Sequence, residues 1–296
     1  VKKNIRKIKV EPYLYIIPSV VIILFIYLFP IVKTVMNSFY RKGGAVDVYV
    51  GLQNYYYTFF KDSLFWISIS NNLKLLLGVP ILTFFSLLIA SLLYQQIVGW
   101  KLFRIVLLIP YILSITVIGI VFDYILRLDG VLNSVIKAVH LELFALDWIG
   151  DPKIAMYSIL GVVIWKELGF GIILFLARML SVDTSVYDAA KVDGASWMRT
   201  LVNITIPELK NVILFYIIIN IINMLSWMFN YIFVMTRGGP VNSTYILEYY
   251  IFRYAIRFRQ MGLASTIAVI LFVIALIFVI LQFIVRSKAL REEGVY

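Results

Sequence analysis

Between Leu263 and Val285 the chain reads LASTIAVILFVIALIFVILQFIV, an apolar run without one charged residue. Wound as an α-helix at 1.5 Å per residue, it measures about 34 Å, enough to cross a hydrocarbon layer of ~30 Å. This helix is built for lipid. Five other stretches meet or approach the same requirement, at 13–31, 75–93, 102–126, 154–176 and 212–235. The turn Gln95-Gln96-Ile97-Val98-Gly99 parts the second from the third, charges interrupt the fourth, and amides interrupt the fifth. The alternating ~10-residue segments of a membrane barrel are absent. The pattern predicts an all-α, polytopic membrane protein with six transmembrane helices.

Composition agrees. Of the 296 residues 62% are hydrophobic, against roughly 45–50% in soluble proteins. Charged residues make up 15%, well below the usual ~25%. One soluble core cannot hide that much apolar surface. A cytosolic enzyme, a disulfide scaffold (there is no Cys) and a disordered regulator are excluded. The net charge of +11 forms no basic stripe outside the spans, so it points to the bilayer surface and not to nucleic acid.

Six spans place both termini on one side. With the N-terminus inside, inner segments hold 14 of the 27 Lys and Arg, among them Lys2, Lys3, Arg6, Lys7 and Lys9 ahead of the first span. Arg253, Arg257 and Arg259 oppose that bias, but the basic tail carries most weight under the positive-inside rule. Both termini are therefore expected in the cytoplasm. The first apolar run is too long for a signal-peptide core, and Lys33 stands where a cleavage site would be, so it is expected to persist as a helix. The expected divisions are a basic tail (1–12), the first helix with its outer loop (13–66), a five-helix core (67–286) containing a cytoplasmic hairpin (181–207), and a C-terminal tail (287–296).

No phosphate-binding G-x-x-x-x-G-K-[ST] loop, no H-E-x-x-H and no Cys/His cluster occurs. The single histidine, His140, lies in an outer loop and reads as solvated. The chain is not expected to be an enzyme or to hold a cofactor or metal.

The most informative segment is 181–207. Thr184 or Ser185 is placed to cap a short helix through Tyr187-Asp188-Ala189-Ala190-Lys191, and Gly194 supplies the left-handed residue that ends it. Ser196 is placed to cap the next helix, and Pro207 suits a first helical turn. The small side chains of Ala189, Ala190 and Ala195 admit close approach by another protein. An ordinary loop hairpin is the alternative on physical grounds.

Asp188-Ala-Ala-x-x-Asp193-Gly194-Ala195, followed by Ile204 and Pro207, resembles the EAA motif of ABC importer permeases. Asp188 replaces the leading Glu and Leu201 the later Phe, both mild changes. Further along the chain, Phe29-Pro30-Ile31, Gly51-Leu52-x-Asn54-Tyr55, Asn72, Leu107-x-Ile109-Pro110-Tyr111, Gly130-Val-Leu-Asn133 with Trp148, and Thr236-Arg-Gly-Gly-Pro240 resemble the sugar-type, maltose-like branch. The resemblance implies the type I ABC importer permease fold, in a bacterial or archaeal inner membrane. It implies a second, homologous permease subunit, two ATPase subunits carrying ATP and Mg, and an extracellular solute-binding protein. It makes the hairpin the element that docks on the ATPase, through Tyr187, Asp188, Ala189, Ala190, Asp193, Gly194, Ala195, Trp197 and Pro207.

Polar groups within spans are costly unless paired, so they are candidates for a solute path. In the fifth span Tyr216, Asn220, Asn223, Trp227 and Asn230 recur at steps of 4, 3, 4 and 3, the spacing of one helix face. Amides donate and accept, and an indole offers a flat apolar face, a mixture that suits sugar hydroxyls and C–H faces. Interhelical glue is the competing use of Asn. In the fourth span, Trp165, Lys166, Glu167, Leu168 and Gly169 add candidates, with Lys166 and Glu167 open to a path role or a structural ion pair. By resemblance, the segment at Leu168-Gly169 lines the path. The expected function is import of a sugar or similar polyhydroxylated solute by alternating access. A secondary transporter is the alternative, supported by Glu167 alone. A membrane enzyme using Asp188 and Asp193 lacks converging ligands.

Overall fold

The computed structural model describes residues 11–42, 46–96 and 98–292, and the side chains of 15–42, 46–96, 98–281, 283 and 284. Most of the basic tail expected at 1–12, Ile97 of the expected turn, and the end of the C-terminal tail lie outside the described residues. So do the side chains of Arg286, Lys288 and Arg291. Backbone packing separates two units. One comprises the described residues up to Lys61 with Ile251–Ile270; the other comprises Asp62–Tyr250 with the described residues from Leu271 onward.

In the first unit α1 (Glu11–Ile23) continues through one wide turn into α2 (Phe29–Ser38). Residues 15–33 are exposed along their whole length, as expected of a helix whose solvent is lipid. A short antiparallel pair follows, β1 (Tyr40–Arg41) with β2 (Val48–Tyr49), then α3 (Gln53–Phe60). Asn54 fixes this corner, its side-chain N–H groups donating to the carbonyls of Ser38 (2.8 Å) and Tyr40 (3.0 Å). Thr266 donates to the same Ser38 carbonyl at 3.2 Å.

The second unit begins with α4 (Ser63–Leu76), capped by Asp62, whose carboxylate accepts from the Leu64 N–H at 3.0 Å. It runs on into α5 (Gly78–Tyr94), so the second span extends over Ser63–Tyr94, well ahead of the 75–93 expected from hydropathy. α6 (Trp100–Ile112) and α7 (Ile115–Ile125) follow. The third apolar stretch was expected as one helix, yet the two halves meet at 100°. Leu113 and Ser114 between them are extended. Pro110, which cannot donate a backbone hydrogen bond, lies in the last turn before the break.

After α8 (Val131–Ala138), the loop that follows is tied by Asn133, which donates to the carbonyls of Leu128 and Leu146 and accepts from the Trp148 indole at 2.9 Å. α9 (Ala155–Leu180) is the spine of the unit, packing on α4, α5 and α6. Lipid is as apolar as leucine, so close packing, not water exclusion, must hold such helices together. Gly171 shows how: a Cβ there would strike the hydroxyl oxygens of Ser86 and Tyr216, which lie 3.2 Å from each other.

The hairpin elements α10 (Thr184–Val192), α11 (Trp197–Thr200) and α12 (Ile206–Glu208) lead to α13 (Lys210–Ser226), α14 (Phe229–Met235) and α15 (Leu247–Phe252). α16 (Met261–Glu292) ends the described chain. α9 also packs on α13 and α14. Among the described residues four helices are long and apolar enough to cross a membrane, or up to six if each bent pair forms one span, the pairs being α6 with α7 and the stretch Trp197–Glu208 with α13, which meet at 75°.

Candidate functional site

The hairpin is built by local chemistry. α10 is capped by Asp183 and not by the expected Thr184 or Ser185: the Asp183 carboxylate accepts from the Ser185 N–H at 2.9 Å. Three cap-forming residues compete here, and Asp183 alone sits with non-helical backbone directly before the first helical turn. That N–H also holds the Asp183 carboxyl below its ordinary range. Gly194 adopts φ +70°, the left-handed conformation its residue type serves, and a Cβ there would meet nothing within 4 Å. Ser196 caps α11 through the Arg199 N–H at 3.4 Å. At the base, Arg178 reaches the Glu208 carboxylate at 3.4 Å.

The outward face carries Asp188, Ala189, Asp193, Gly194 and Pro207 exposed, with Ala195 and Trp197 half-buried. Asp188 lies 3.5 Å from Lys191. Tyr187 and Ala190, expected on the docking face, are buried instead. Their spacing of three turns both inward, and the Tyr187 ring packs on Tyr94 at 5.1 Å between centroids, which seats the hairpin on the end of α5. Val192, which no sequence signal singled out, is 87% exposed at the tip.

A cavity of about 330 Å³ opens within the second unit, at the lower end of the ~300–1,000 Å³ range of small-molecule sites. Its walls come from four places. Tyr111 and Ile115 flank the break between α6 and α7, α9 supplies Lys166 and Glu167, and α13 supplies Asn220, Asn223 and Met224. Trp227, Met228 and Tyr231 close it at the interruption between α13 and α14. The break between α6 and α7 and the interruption between α13 and α14 thus both border this cavity, whereas the 75° bend between α12 and α13 at Leu209 does not. Irregular backbone at membrane depth is tolerated where it lines such a space.

The polar groups are partly committed. The Lys166 ammonium, with a side chain only 6% exposed, lies 3.2 Å from the Glu167 carboxylate. It also donates to the Tyr111 carbonyl at 3.2 Å and stands 5.3 Å from the Tyr111 ring centroid. That carbonyl belongs to the last turn of α6, where the break removes its helical partner, and the ammonium takes that partner's place. Asn220 is buried and donates back to the Tyr216 carbonyl at 2.9 Å, while Asn223 and Glu167 are half-buried. Trp227 ends α13, its ring 61% exposed.

The single polar face expected along the fifth span does not persist. α13 stops at Ser226, so the helical register is lost before Asn230, which is exposed and absent from the cavity wall. Tyr216 is buried against Ser86 and Phe175, as packing. Gly169 lets α9 approach α6, where a Cβ would come within 3.0 Å of the Leu107 carbonyl oxygen. The Leu168 carbonyl accepts from Ser86 at 3.4 Å. Neither residue lines the cavity.

Asn71 and Asn72 of α4 anchor the loop after α14. Asn71 donates to the carbonyls of Ser243 and Tyr245, both at 2.8 Å, and Asn72 accepts from the Leu247 N–H at 2.9 Å. Thr236 and Thr244 meet at 2.7 Å across the Thr236–Pro240 motif. Asn72 also donates to Glu248 at 3.2 Å, and burial pushes that carboxyl up to about 7.

The lactose transport system permease protein LacF of Rhizobium radiobacter is 32% identical over 293 residues, covering 97% of this chain and 96% of that one. This chain belongs to the permease family of ABC transporters. A second relative of the permease, the sulfoquinovosyl glycerol transport system permease protein SmoG of Agrobacterium fabrum, is 31% identical over 271 residues, covering 89% and 86%. Among solved structures the permease superposes with TM-score 0.78 on a bacterial ABC transporter chain involved in import of the acidic polysaccharide alginate, at 22% identity, covering 93% and 94%. No protein-family profile matches the sequence. The permease is a membrane-spanning transport subunit and not itself an enzyme. Of its cavity residues, Ile115, Met224, Met228 and Tyr231 escaped sequence reasoning, because apolar and aromatic residues in a span look the same whether they face a cavity or a neighbouring helix.

Proposed function

We propose that this permease is one of two non-identical membrane subunits of an importer for a sugar or similar polyhydroxylated solute. The carrying observation is the cavity bordered by the α6–α7 break and the α13–α14 interruption, lined by the amides of Asn220 and Asn223, the Trp227 ring and the Lys166–Glu167 pair. Paired in this way, the two charges present no net charge to the solute, which favours a neutral polyol. Relatives named for lactose and sulfoquinovosyl glycerol support a carbohydrate.

In this reading each bent helix pair counts as one span, giving six, with both termini cytoplasmic in a bacterial or archaeal cell membrane. The hairpin from Thr184 to Pro207 docks on a separate ATPase subunit, one of two, which carries ATP and Mg. An extracellular binding protein delivers the solute, and ATP-driven closure of the ATPase pair is transmitted through Asp188, Val192 and Gly194 to the cavity. Leu168 and Gly169 shape the path by holding α9 against its neighbours.

The test is ATP hydrolysis by the reconstituted complex with its binding protein, scanned over neutral sugars, sugar acids and non-carbohydrate solutes. Stimulation by a neutral sugar is expected. Stimulation confined to amino acids, peptides or ions would overturn the reading.

A further inference from the structure

We propose that the first unit carries a binding site for the phosphate headgroup of an anionic glycerophospholipid. The site is a groove of about 630 Å³ lined by Arg41, Lys42, Tyr56, Lys61 and Gln260, with Asn54 and Gly262 at its base.

Three observations converge. The first is charge. Residues 39–61 and 251–262 hold Arg41, Lys42, Lys61, Arg253, Arg257 and Arg259 against a single carboxylate, Asp47. Asp47 pairs with Lys42 at 3.0 Å, so two of the three cations in the groove have no acidic partner among the described residues. A guanidinium fork with an ammonium nearby suits phosphate oxygens. The second is depth. One candidate span ends at Ser38 and another begins at Met261, so the groove lies where two hydrocarbon-crossing helices meet the headgroup layer. The third is the aromatic rim. Tyr56, Tyr57 and Phe60 of α3 are exposed beside the cations, the arrangement of side chains that settle at a membrane interface.

The base is rigid. Asn54 ties α3 to the carbonyls of Ser38 and Tyr40, and Gly262 lets α16 press against the Tyr40 carbonyl, where a Cβ would collide. The groove also explains why basic residues gather on the side that the positive-inside rule leaves poor in them: headgroup phosphates neutralise them. The inference depends on the membrane reading but not on the solute, and its test does not involve transport.

The test uses the full complex in nanodiscs containing equal phosphatidylglycerol and phosphatidylcholine, with retained lipid measured by native mass spectrometry. Wild type is expected to retain phosphatidylglycerol selectively, with affinity falling about fivefold for each cation removed in Arg41→Gln and Lys61→Gln. Asp47→Asn, which releases Lys42, is expected to raise that selectivity, so the proposal stays testable if the Arg41→Gln and Lys61→Gln variants assemble poorly. Equal retention by wild type and all variants overturns it. So does displacement of lipid by water-soluble glycerol 3-phosphate as effective as added phosphatidylglycerol. Loss of binding-protein docking by the variants with lipid selectivity intact would reassign the groove to a protein partner.

Discussion

The ammonium of Lys166 and the carboxylate of Glu167 lie 3.2 Å apart although the two residues are adjacent on α9. Neighbouring positions on a helix diverge by about 100°, so the pair closes only because the long lysine stem bends toward the cavity, drawn also by the Tyr111 carbonyl. Removing one partner from a buried pair costs about 3–5 kcal/mol, because the survivor's charge is left uncompensated. Lys166→Met is therefore expected to lower the thermal stability of the assembled complex sharply, and Lys166→Met with Glu167→Gln to recover most of the loss. A thermal unfolding series decides it: equal stability of the single variant and wild type would show that the pair bears no such charge penalty.

The cavity separates Asn223 and Trp227 from Asn230. Each lost solute hydrogen bond weakens binding by up to about tenfold. Asn223→Leu and Trp227→Ala should therefore reduce solute-stimulated ATP hydrolysis while assembly is retained. Asn230→Leu should leave stimulation unchanged. If Asn230→Leu is as damaging as the other two, the interruption at Trp227-Met228 does not divide the face as described.

On the hairpin, Val192→Asp is expected to detach the ATPase subunit without unfolding the permease, since the side chain is exposed and has no internal packing to lose. Gly194→Trp should do the same: its Cβ points into open space, though the positive φ adds some strain. Copurification of the ATPase measures both. Normal copurification with Val192→Asp would remove that residue from the interface.

Glu248 makes the second unit sensitive to pH. Burial raises its carboxyl from the usual value near 4.5 to about 7, so the folded chain keeps a proton that the unfolded chain releases. Its contribution is complete below about 4.5 and is lost as pH rises through about 7, the reverse of a salt-bridged carboxylate. Glu248→Gln should flatten the dependence of melting temperature on pH across that interval. An unchanged slope would mean that another group titrates there.

Much of this was legible in the sequence, for identifiable reasons. The hairpin could be read because its shape depends on local chemistry: a cap, a left-handed Gly194, a second cap at Ser196. The apolar stretches could be read because lipid demands them. The interruptions could not. Leu113-Ser114 and Trp227-Met228 contain neither Gly nor Pro, and only Pro110 hints at the first. With the second unseen, the regular spacing of Asn223, Trp227 and Asn230 looked like one continuous face. Tyr187 was misplaced because motif membership does not say which side of a short helix a residue occupies. The pull of Tyr94 did that. Glu248 gave no signal, since one carboxyl between spans looks exposed until Asn72 is seen beside it.

Packing between α7 and α14 has a thermodynamic consequence. Gly119 lies so close to Val234 that a Cβ would touch it at 3.1 Å, which joins two half-helices from different parts of the chain into a single paddle. Both breaks that bound that paddle, Leu113-Ser114 and Trp227-Met228, adjoin the cavity, so a solute held there would touch the point where each half-helix begins. Any tilt of the pair would then be linked to affinity: a solute held more tightly at one angle would stabilise that angle by the same factor. Substitutions that loosen Gly119 against Val234 would weaken this linkage while leaving every solute contact in place.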